Sequence, residues 1–341
     1  MKSLLIIMLL KNLIKSLPEN KRKIQIKGLA ANSKEIKKDF IFFAIKGKNL
    51  NGESFINDAI KKGASVIVCE KNCKFKNKKV IIIKKKNVRF FASELASKFY
   101  KLKPKNMIAV TGTNGKTSVA DLFYQILTLN KISVASIGTL GIKYKKKIIK
   151  TGLTSPDAIS IHKYLQLLKK NKIDNVIIEA SSHGLDQYRM HHLDFKTAIF
   201  TNFSQDHLDY HNTMIQYLNA KLILFKNILL KRRSIIIDKS IKQFQIIKKI
   251  SKKRKLNLLE ISKTMEKTEN VFGNKYNTFQ KKNLSMAIVA TKLCGLKDKE
   301  IYQSLKKIKS VSGRLELVRC LPNNVKVFID YAHTPDALLK V

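Results

Sequence analysis

A short apolar run followed by a glycine-containing loop decides the fold, and it reads Met107-Ile108-Ala109-Val110-Thr111-Gly112-Thr113-Asn114-Gly115-Lys116-Thr117-Ser118. Residues 107–110 have the composition of a buried strand. The residues after the loop repeat apolar side chains with helical spacing, at Val119, Leu122, Phe123, Ile126 and Leu127. Strand, loop and helix in this order predict a phosphate-binding loop.

Each polar part of this loop has a predicted task. Gly112 and Gly115 can adopt backbone angles that turn successive N–H groups toward phosphate oxygens. Lys116 would contact the β- and γ-phosphates, and Thr117 would ligate Mg²⁺. The general pattern has a glycine where this chain has Val110, so the loop is a variant. A chance glycine-rich turn is the alternative, and the register of strand, Gly-Lys-Thr and helix disfavours it.

Composition indicates a globular protein of two or three domains, because the chain has 341 residues and 44% apolar content. Its formal charge of +44 alone would favour nucleic acid or an anionic membrane as partner. The lysines occur along nearly the whole chain, however, which favours a general substitution bias and no nucleic-acid partner. We interpret the basic run at residues 248–255 as a solvated face. Four scattered cysteines without a Cys-x-x-Cys pair predict neither zinc nor a redox centre.

The amino-terminal residues 1–10 are apolar apart from Lys2, but no small-residue cleavage site follows them. Lys11 and Lys15 fit an amphipathic helix better than a signal peptide. No later stretch reaches the roughly 20 apolar residues that a membrane span requires. We therefore predict a cytoplasmic protein that does not insert stably into a membrane.

The pattern of short apolar runs predicts an α/β protein with three domains. Residues 1–103 form a small α/β domain, with strands at 40–45, 66–69 and 80–83 and helices at 54–62 and 88–100. Residues 104–318 form a domain whose strands and helices alternate, which is typical of a mainly parallel sheet. Its strands are predicted at 107–110, 176–178, 198–201 and 234–237, and its helices at 160–170, 214–230, 283–293 and 299–308. A strand at 325–329 opens a third domain, of which residues 319–341 are the beginning.

Two further strand ends carry side chains that suit a metal. Glu179 ends one apolar strand, and the segment Thr201 to His211, which contains His207, follows the end of another. Ligands of parallel α/β sheets bind outside the carboxyl ends of the strands. A lone glutamate there would more often cap a helix, but a carboxylate and a histidine beside a phosphate loop favour a magnesium site.

Four motifs together resemble the Mur ligases: the loop, the segment Glu179-Ala180-Ser181-Ser182-His183-Gly184-Leu185, the segment Asp206-His207-Leu208-Asp209-Tyr210-His211, and Asp330-Tyr331-Ala332-His333-Thr334-Pro335-Asp336-Ala337. Their order and spacing also match, over essentially the whole chain. The combination is most similar to the members that add the third peptide residue to UDP-MurNAc-L-Ala-D-Glu. Folylpolyglutamate synthetases share the loop but do not have the runs Ser181-Ser182-His183-Gly184-Leu185 and Tyr331-Ala332-His333-Thr334-Pro335 together.

The resemblance implies an ATP-dependent ligase of peptidoglycan precursor synthesis, and thus of cell shape and division. ATP would convert a carboxylate of UDP-MurNAc-L-Ala-D-Glu into an acyl phosphate, which the incoming amine attacks. meso-Diaminopimelate is favoured over lysine as that amino acid because it is the commoner choice among bacteria. Both reactants are anionic, so the enzyme must neutralise charge rather than supply a covalent nucleophile. Ser181, Ser182 and His183 are then substrate-orienting or structural.

The family's functional residues fall on named positions of this sequence. The ATP loop comprises Gly112, Thr113, Asn114, Gly115, Lys116, Thr117 and Ser118; Asn283, Arg314 and His333 are further nucleotide contacts. Substrate contacts fall on Ser33, Lys48, Asn49, Leu50, Thr154, Ser155, Ser181, Gln187 and Arg189. Mg²⁺ ligands fall on Thr117, Glu179, His207 and Lys221, the last as a carbamate. Catalysis would depend on Lys116, Lys221 and His207.

Some positions depart from the family pattern. Asn32-Ser33-Lys34 stands where relatives usually show Asp-Ser-Arg, Leu153 replaces a polar residue, and the usual Asn-x-Asp-Asp pattern is lacking at residues 237–239. The family's third domain, which carries most determinants for the amino acid, would extend well beyond Val341. We therefore expect the 341-residue chain to be inactive in ligation by itself. We also predict that it is a monomer.

Overall fold

The computed structural model describes residues 6–15, 18–21, 23–47, 50–273 and 276–339. The chain forms two compact units. The first comprises residues 1–102, 157–166 and 187–192, and the second comprises residues 103–156, 167–186 and 193–341. The sequence predicts residues 157–166 and 187–192 as part of the central domain, whereas the structure groups them with the first unit.

The first unit is built on a parallel four-stranded sheet. Its elements are, in chain order, β1 Met8–Leu9, α1 Leu10–Leu13, β2 Gln25–Ile26, β3 Gly28–Ala30, β4 Phe40–Phe43, α2 Ile56–Lys61, β5 Ala64–Glu70, β6 Ile81–Lys85 and α3 Val88–Phe99. β3, β4, β5 and β6 are neighbours in that order and run parallel. Successive side chains of a strand point to opposite faces, so Phe42 and Phe43 enter two separate apolar cores.

The predicted amino-terminal amphipathic helix is largely wrong. In the described part of that segment a two-residue strand precedes a helix of only four residues, Leu10–Leu13. Leu10 and Leu13 are buried in the core beside α3, and β1 pairs with β2. The apolar residues are therefore used in packing within the first unit.

The second unit is built on an eight-stranded sheet. Its elements are β7 Asn106–Thr111, α4 Lys116–Leu129, β8 Val134–Gly138, β9 Gly141–Tyr144, β10 Lys147–Ile149, α5 Ala158–Lys170, β11 Asn175–Glu179, α6 Ser182–Asp186, β12 Thr197–Phe200, α7 Leu208–His211, α8 Met214–Ile223, β13 Ser234–Ile237, α9 Phe244–Arg254, β14 Asn257–Glu260, α10 Ser262–Phe272, α11 Thr278–Lys292, α12 Asp298–Leu305, β15 Glu316–Cys320, β16 Lys326–Ile329 and α13 Pro335–Leu338. α5 begins in a segment of the first unit. A π-helix, Leu224–Ile228, continues α8.

The strand order of this sheet is β10-β9-β8-β11-β7-β12-β13-β14. β8 to β14 are parallel in that order, and only β9 and β10 join antiparallel. The predicted mainly parallel α/β sheet is thus confirmed. β8, β9, β10, β14, α9 and α10 are elements that the sequence patterns did not predict.

The site is positioned by β7, which lies between β11 and β12. Glu179 pairs with Val110, and Phe200 pairs with Thr111, so the three carboxyl ends lie at the same edge of the sheet. Behind this edge, α4 and α11 pack through apolar side chains that include Phe123 and Leu284. The loop between β7 and α4 therefore rests on a packed core.

None of the helices within the described ranges combines the length and the apolar character that crossing a bilayer demands.

Candidate nucleotide and metal site

The loop between β7 and α4 requires glycine at two positions. Gly112 has φ +146° and Gly115 has φ +84°, a region that side chains with a Cβ rarely adopt. Space is also lacking, because a Cβ at Gly112 would overlap Thr201 Oγ1 and a Cβ at Gly115 would overlap Asn283 Oδ1. The loop backbone is thus held close to β12 and to α11.

Residues after β12 tie the loop down. The Thr113 N–H donates to the Asn202 carbonyl at 3.0 Å, and the Asn114 N–H donates to Asn202 Oδ1 at 2.9 Å. Thr201 Oγ1 donates to the Asn114 carbonyl at 2.6 Å. These bonds hold the loop through contacts within the protein, which is the preorganisation that a phosphate site needs.

Two lysines donate to one carbonyl of the loop. Lys116 Nζ lies 3.0 Å from the Gly112 oxygen and 2.7 Å from the Thr113 oxygen. Lys221 Nζ lies 2.7 Å from the same Gly112 oxygen and 4.3 Å from the centre of the Tyr217 ring. Lys221 is only 1% exposed, so its side chain lies inside the protein and not at the surface.

The charge on these lysines is disfavoured. Burial lowers the pKa of Lys116, although the charges of Glu179 and Asp206 oppose this. Burial lowers the pKa of Lys221 well below its ordinary value, and the neighbouring charge of Lys116 lowers it further. The neutral amine is therefore more accessible at Lys221 than at an ordinary lysine.

Glu179 presents a buried carboxylate at the end of β11, with an exposed fraction of 2%. Its Oε2 accepts hydrogen bonds from Thr117 Oγ1 at 2.9 Å and from Thr139 Oγ1 at 3.2 Å. Its Oε1 accepts the Thr139 N–H at 2.9 Å. Burial raises the pKa of Glu179, and the charge of Lys116 and these hydrogen bonds oppose the increase.

Arg314 reaches the same cluster from the segment before β15. Its Nη2 donates to Thr117 Oγ1 at 3.2 Å, and its guanidinium lies 4.7 Å from the Tyr331 ring centre. His333 Nδ1 is 2.8 Å from the Tyr331 carbonyl oxygen. Two of the predicted nucleotide contacts thus lie beside the loop.

His207 begins α7 with a left-handed backbone at φ +52°. Its Nε2 lies 3.4 Å from Asp206 Oδ2, and its ring lies 4.9 Å from that of His183 between centres. Burial lowers the pKa of His207, and the charge of Asp206 opposes the decrease. A neutral imidazole is the form that can ligate a metal.

One pocket of the second unit collects most of the predicted residues. It is lined by Thr113, Asn114, Gly115, Lys116, Thr117, Thr154, Glu179, Ser181, His207, Lys221, Arg314 and His333. Gly112, Ser118, Ser155 and Asn283 belong to the same unit without lining this pocket. Asn283 is 2% exposed and contacts Gly115 from α11, while the Ser155 hydroxyl donates to the Glu179 carbonyl at 2.7 Å.

The remaining substrate residues belong to the first unit. Ser33 is buried and Leu50 is exposed. Arg189 Nη2 donates to Gln187 Oε1 at 2.7 Å, and Arg89 Nη1 lies 3.4 Å from the same oxygen. Lys48 and Asn49 lie outside the described residues.

The pocket also contains Thr139, Asp206 and Tyr331, which were not among the predicted site residues, and Ser182, which was predicted only as substrate-orienting or structural. Thr139 follows β8, a strand that the sequence reading did not identify. The apolar run that ends in Gly138-Thr139 is the pattern that could have indicated Thr139, because polar residues at the ends of parallel strands are candidate ligand-binding residues. Asp206 and Tyr331 stand inside the quoted motifs but received no role.

Comparison with known proteins shows the family of this chain. The Mur ligase middle domain matches residues 110–302, and the Mur ligase family catalytic domain matches residues 25–100. The UDP-N-acetylmuramoyl-L-alanyl-D-glutamate–2,6-diaminopimelate ligase of Rickettsia montanensis is 39% identical over 346 residues. That alignment covers 93% of this chain and 70% of the relative.

Solved structures agree on the fold. A UDP-N-acetylmuramoyl-L-alanyl-D-glutamate–2,6-diaminopimelate ligase superposes with a TM-score of 0.78 at 23% identity, covering 98% of this chain and 73% of that chain. A Mycobacterium tuberculosis folylpolyglutamate synthase complexed with ADP gives 0.56 at 18% identity, covering 73% of this chain and 66% of that chain. With its middle-domain match spanning more than half of the sequence and a relative at 39% identity, the chain belongs to the Mur ligase family.

Proposed function

We propose that this chain carries the nucleotide site and the acceptor site of an ATP-dependent ligase that adds meso-diaminopimelate to UDP-MurNAc-L-Ala-D-Glu. The observation that carries the proposal is the meeting of Lys116, Thr117 and Glu179 at the carboxyl edge of the sheet. The name of the 39% identical relative supplies the substrates. A folylpolyglutamate-type ligase is the second candidate, and it is supported only by a lower structural similarity.

The residues present fit a bound nucleotide. Gly112 and Gly115 bring the loop backbone to the position where phosphate oxygens would lie, at the amino terminus of α4. Asn283 Nδ2 is buried without a hydrogen-bond partner in the described part of the chain. An unmet buried donor costs free energy, and a nucleotide atom at this place would accept its hydrogen bond.

The residues also fit Mg²⁺. Within the described residues no group of three or more His, Cys, Asp and Glu side chains is arranged to hold a metal alone. Protein-bound Mg²⁺ usually takes one or two carboxylates together with substrate phosphates. Thr117 Oγ1 and Glu179 would hold it beside the loop, and when bound it would neutralise phosphate charge.

The residues of the chain then have these roles in the reaction. Lys116 and the loop N–H groups that do not bond to Asn202 hold the β- and γ-phosphates of ATP. A carboxylate oxygen of the dipeptide attacks the γ-phosphorus, the bond to the β,γ-bridging oxygen breaks, and ADP leaves an acyl phosphate. The amine of diaminopimelate then attacks the acyl carbon, and phosphate departs with the electron pair of the C–O bond while the amine loses a proton. Arg314, close to Thr117, adds positive charge where negative charge develops.

Lys221 is the proposed site of a carbamate. The neutral amine attacks CO₂, a C–N bond forms, and the nitrogen releases a proton, so a cation is replaced by an anionic oxygen ligand. Its burial and lowered pKa support this step, because only the unprotonated amine reacts. His207 in the same pocket would provide a further ligand of a second Mg²⁺.

The residues that we propose to contact the UDP-MurNAc-dipeptide are Ser33, Lys48, Asn49, Leu50, Thr154, Ser155, Ser181, Gln187 and Arg189. A cytoplasmic location, a monomeric state and the lack of a nucleic-acid partner stay predictions.

Calorimetric titration of the 341-residue chain tests the proposal. We expect UDP-MurNAc-L-Ala-D-Glu to bind and dihydropteroate or folate to give no heat. Ligation is then measured in a longer form, made by joining Val341 to the segment of the Rickettsia relative that follows the aligned part. Binding of folate without binding of the UDP-dipeptide would instead favour the second candidate.

A further inference from the structure

Thr139 contacts both oxygens of the Glu179 carboxylate. Its backbone N–H donates to Oε1 at 2.9 Å, and its hydroxyl lies 3.2 Å from Oε2. Thr117 adds a donor to Oε2 at 2.9 Å. Because each oxygen is bonded from a different direction, the plane of this buried carboxylate is fixed.

The Thr139 hydroxyl has a second neighbour, Thr154 Oγ1, at 3.1 Å. A hydroxyl has one proton to donate and lone pairs to accept. Since an ionised carboxylate can only accept, the Thr139 proton goes to Glu179 and the Thr154 proton goes to Thr139. The three side chains therefore form a directed chain of hydrogen bonds, from Thr154 through Thr139 to Glu179.

Gly138 closes the other side of the carboxylate. A Cβ at this position would overlap the Glu179 carboxylate oxygen and would lie 2.6 Å from its Cγ, a distance that real Cβ contacts essentially never show. The backbone of Gly138 does not have a positive φ. Lack of space alone therefore requires glycine here. Gly138 and Thr139 together permit only one orientation of the Glu179 carboxylate.

We propose that Thr139 is a positioning residue, which holds the Glu179 carboxylate in the orientation that binds Mg²⁺ and links it to Thr154. The inference rests on the proposed function, which makes Glu179 a metal ligand and Thr154 a substrate contact. Groups that orient a metal ligand typically change metal affinity by about 10–100-fold when they are removed. The metal site and the acceptor site thus share one hydroxyl group.

The test uses Mn²⁺ as a paramagnetic probe with ADP, and free Mn²⁺ is measured by electron paramagnetic resonance. In the 341-residue chain we expect Thr139→Val to weaken Mn²⁺ binding by about tenfold or more, because valine keeps the shape but lacks the hydroxyl. Thr139→Ser should restore the affinity of the unchanged chain. Gly138→Ala should also weaken binding, since its methyl group displaces the carboxylate. Thr128→Val, at an exposed position of α4, is the matched control that should bind normally.

A crystal structure of Thr139→Val gives a readout that does not require the metal. We expect the Glu179 carboxylate to rotate out of the orientation in which Oε1 and Oε2 both face residue 139. An unmoved carboxylate, or unchanged Mn²⁺ affinity with only a lower melting temperature, overturns the proposal and leaves Thr139 a structural residue. If the unchanged chain fails to bind Mn²⁺ with ADP, the proposed function fails, while the carboxylate orientation still decides the role of Thr139.

Discussion

Replacement of Lys221 with methionine is expected to stabilise the second unit. The ammonium group of Lys221 is buried, and within the described residues no carboxylate lies within ion-pair distance of it. Its acceptor, the Gly112 carbonyl, keeps a second donor in Lys116 at 3.0 Å. The substitution therefore removes a buried charge, fills a similar volume and leaves no carbonyl unsatisfied.

The size and the pH dependence follow from the lowered pKa of Lys221, which burial causes first and Lys116 second. Each unit of pKa difference corresponds to about 1.4 kcal/mol. Between the folded and the unfolded pKa values the unfolded chain binds more protons, so the stability of the unchanged chain rises with pH. The Lys221→Met substitution removes the unfavourable free energy of burying a charged ammonium group. This free energy is largest below the folded pKa and vanishes as pH approaches 10.5.

Apolar replacements of buried ion pairs often stabilise proteins by about 1–4 kcal/mol, and we expect a gain of this order for the unpaired ammonium group of Lys221. For a unit of this size each kcal/mol raises the melting temperature by about 2–4 °C. Scanning calorimetry in CO₂-free buffer from pH 6 to pH 10 measures the effect. The matched control is Lys281→Met, because buried Lys281 pairs with Glu269 at 2.6 Å and should give no gain. A Lys221→Met chain that melts below the unchanged chain at pH 7, or a gain that grows with pH, would refute the reasoning.

Three further substitutions test other parts of the structure. Gly115→Ala should lower the free energy of unfolding by about 1–3 kcal/mol because of the positive φ, and by more because of the overlap with Asn283. It should therefore melt at a lower temperature than Gly295→Ala, whose position has φ +96° but open space around it. Equal melting temperatures of the two variants would contradict this. Lys116→Ala should weaken ATP binding about tenfold or more, since hydrogen bonds to charged groups contribute about 1.5–3 kcal/mol, and ligand-observed NMR, which detects weak binding, should show it. Burial lowers the pKa of His191 to about 4, so the first unit should lose stability as pH falls from 6.5 toward 4; His191→Gln should flatten that slope in thermal melts, and an unchanged slope would argue against it.

The sequence predicted the sheet where apolar runs are long and bounded by helices. Residues 234–237 were placed with the bounds that the structure has. β8 was missed because its run, Val134-Ala135-Ser136-Ile137-Gly138, contains small residues and a serine. β9 and β10 carry lysines, which single-sequence patterns assign to loops. With β8 unrecognised, the sequence could not indicate that Thr139 lies beside Glu179.

The position of Lys221 shows a different limit. In the sequence Lys221 lies near Leu218, Leu222 and Phe225, a pattern that is typical of a lysine whose stem packs on apolar side chains while its ammonium group reaches solvent. In the structure Tyr217 and Lys221 are both buried, one helical turn apart. A lysine on a buried face contradicts ordinary burial preferences, so only the family resemblance singled it out before its surroundings were known.

The first unit is assembled from three separate stretches of chain, and this has a consequence for synthesis on the ribosome. Ile159 lies in the same apolar core as Leu29 and Leu95, and the Ser93 hydroxyl donates to the His191 carbonyl at 2.7 Å. That core cannot be completed when Leu102 has emerged. At about 5–20 residues per second, translation needs roughly 5–18 s more to reach residue 192. During that interval the nascent amino-terminal segment exposes apolar surface, so it is the part of the chain that a ribosome-associated chaperone would meet first.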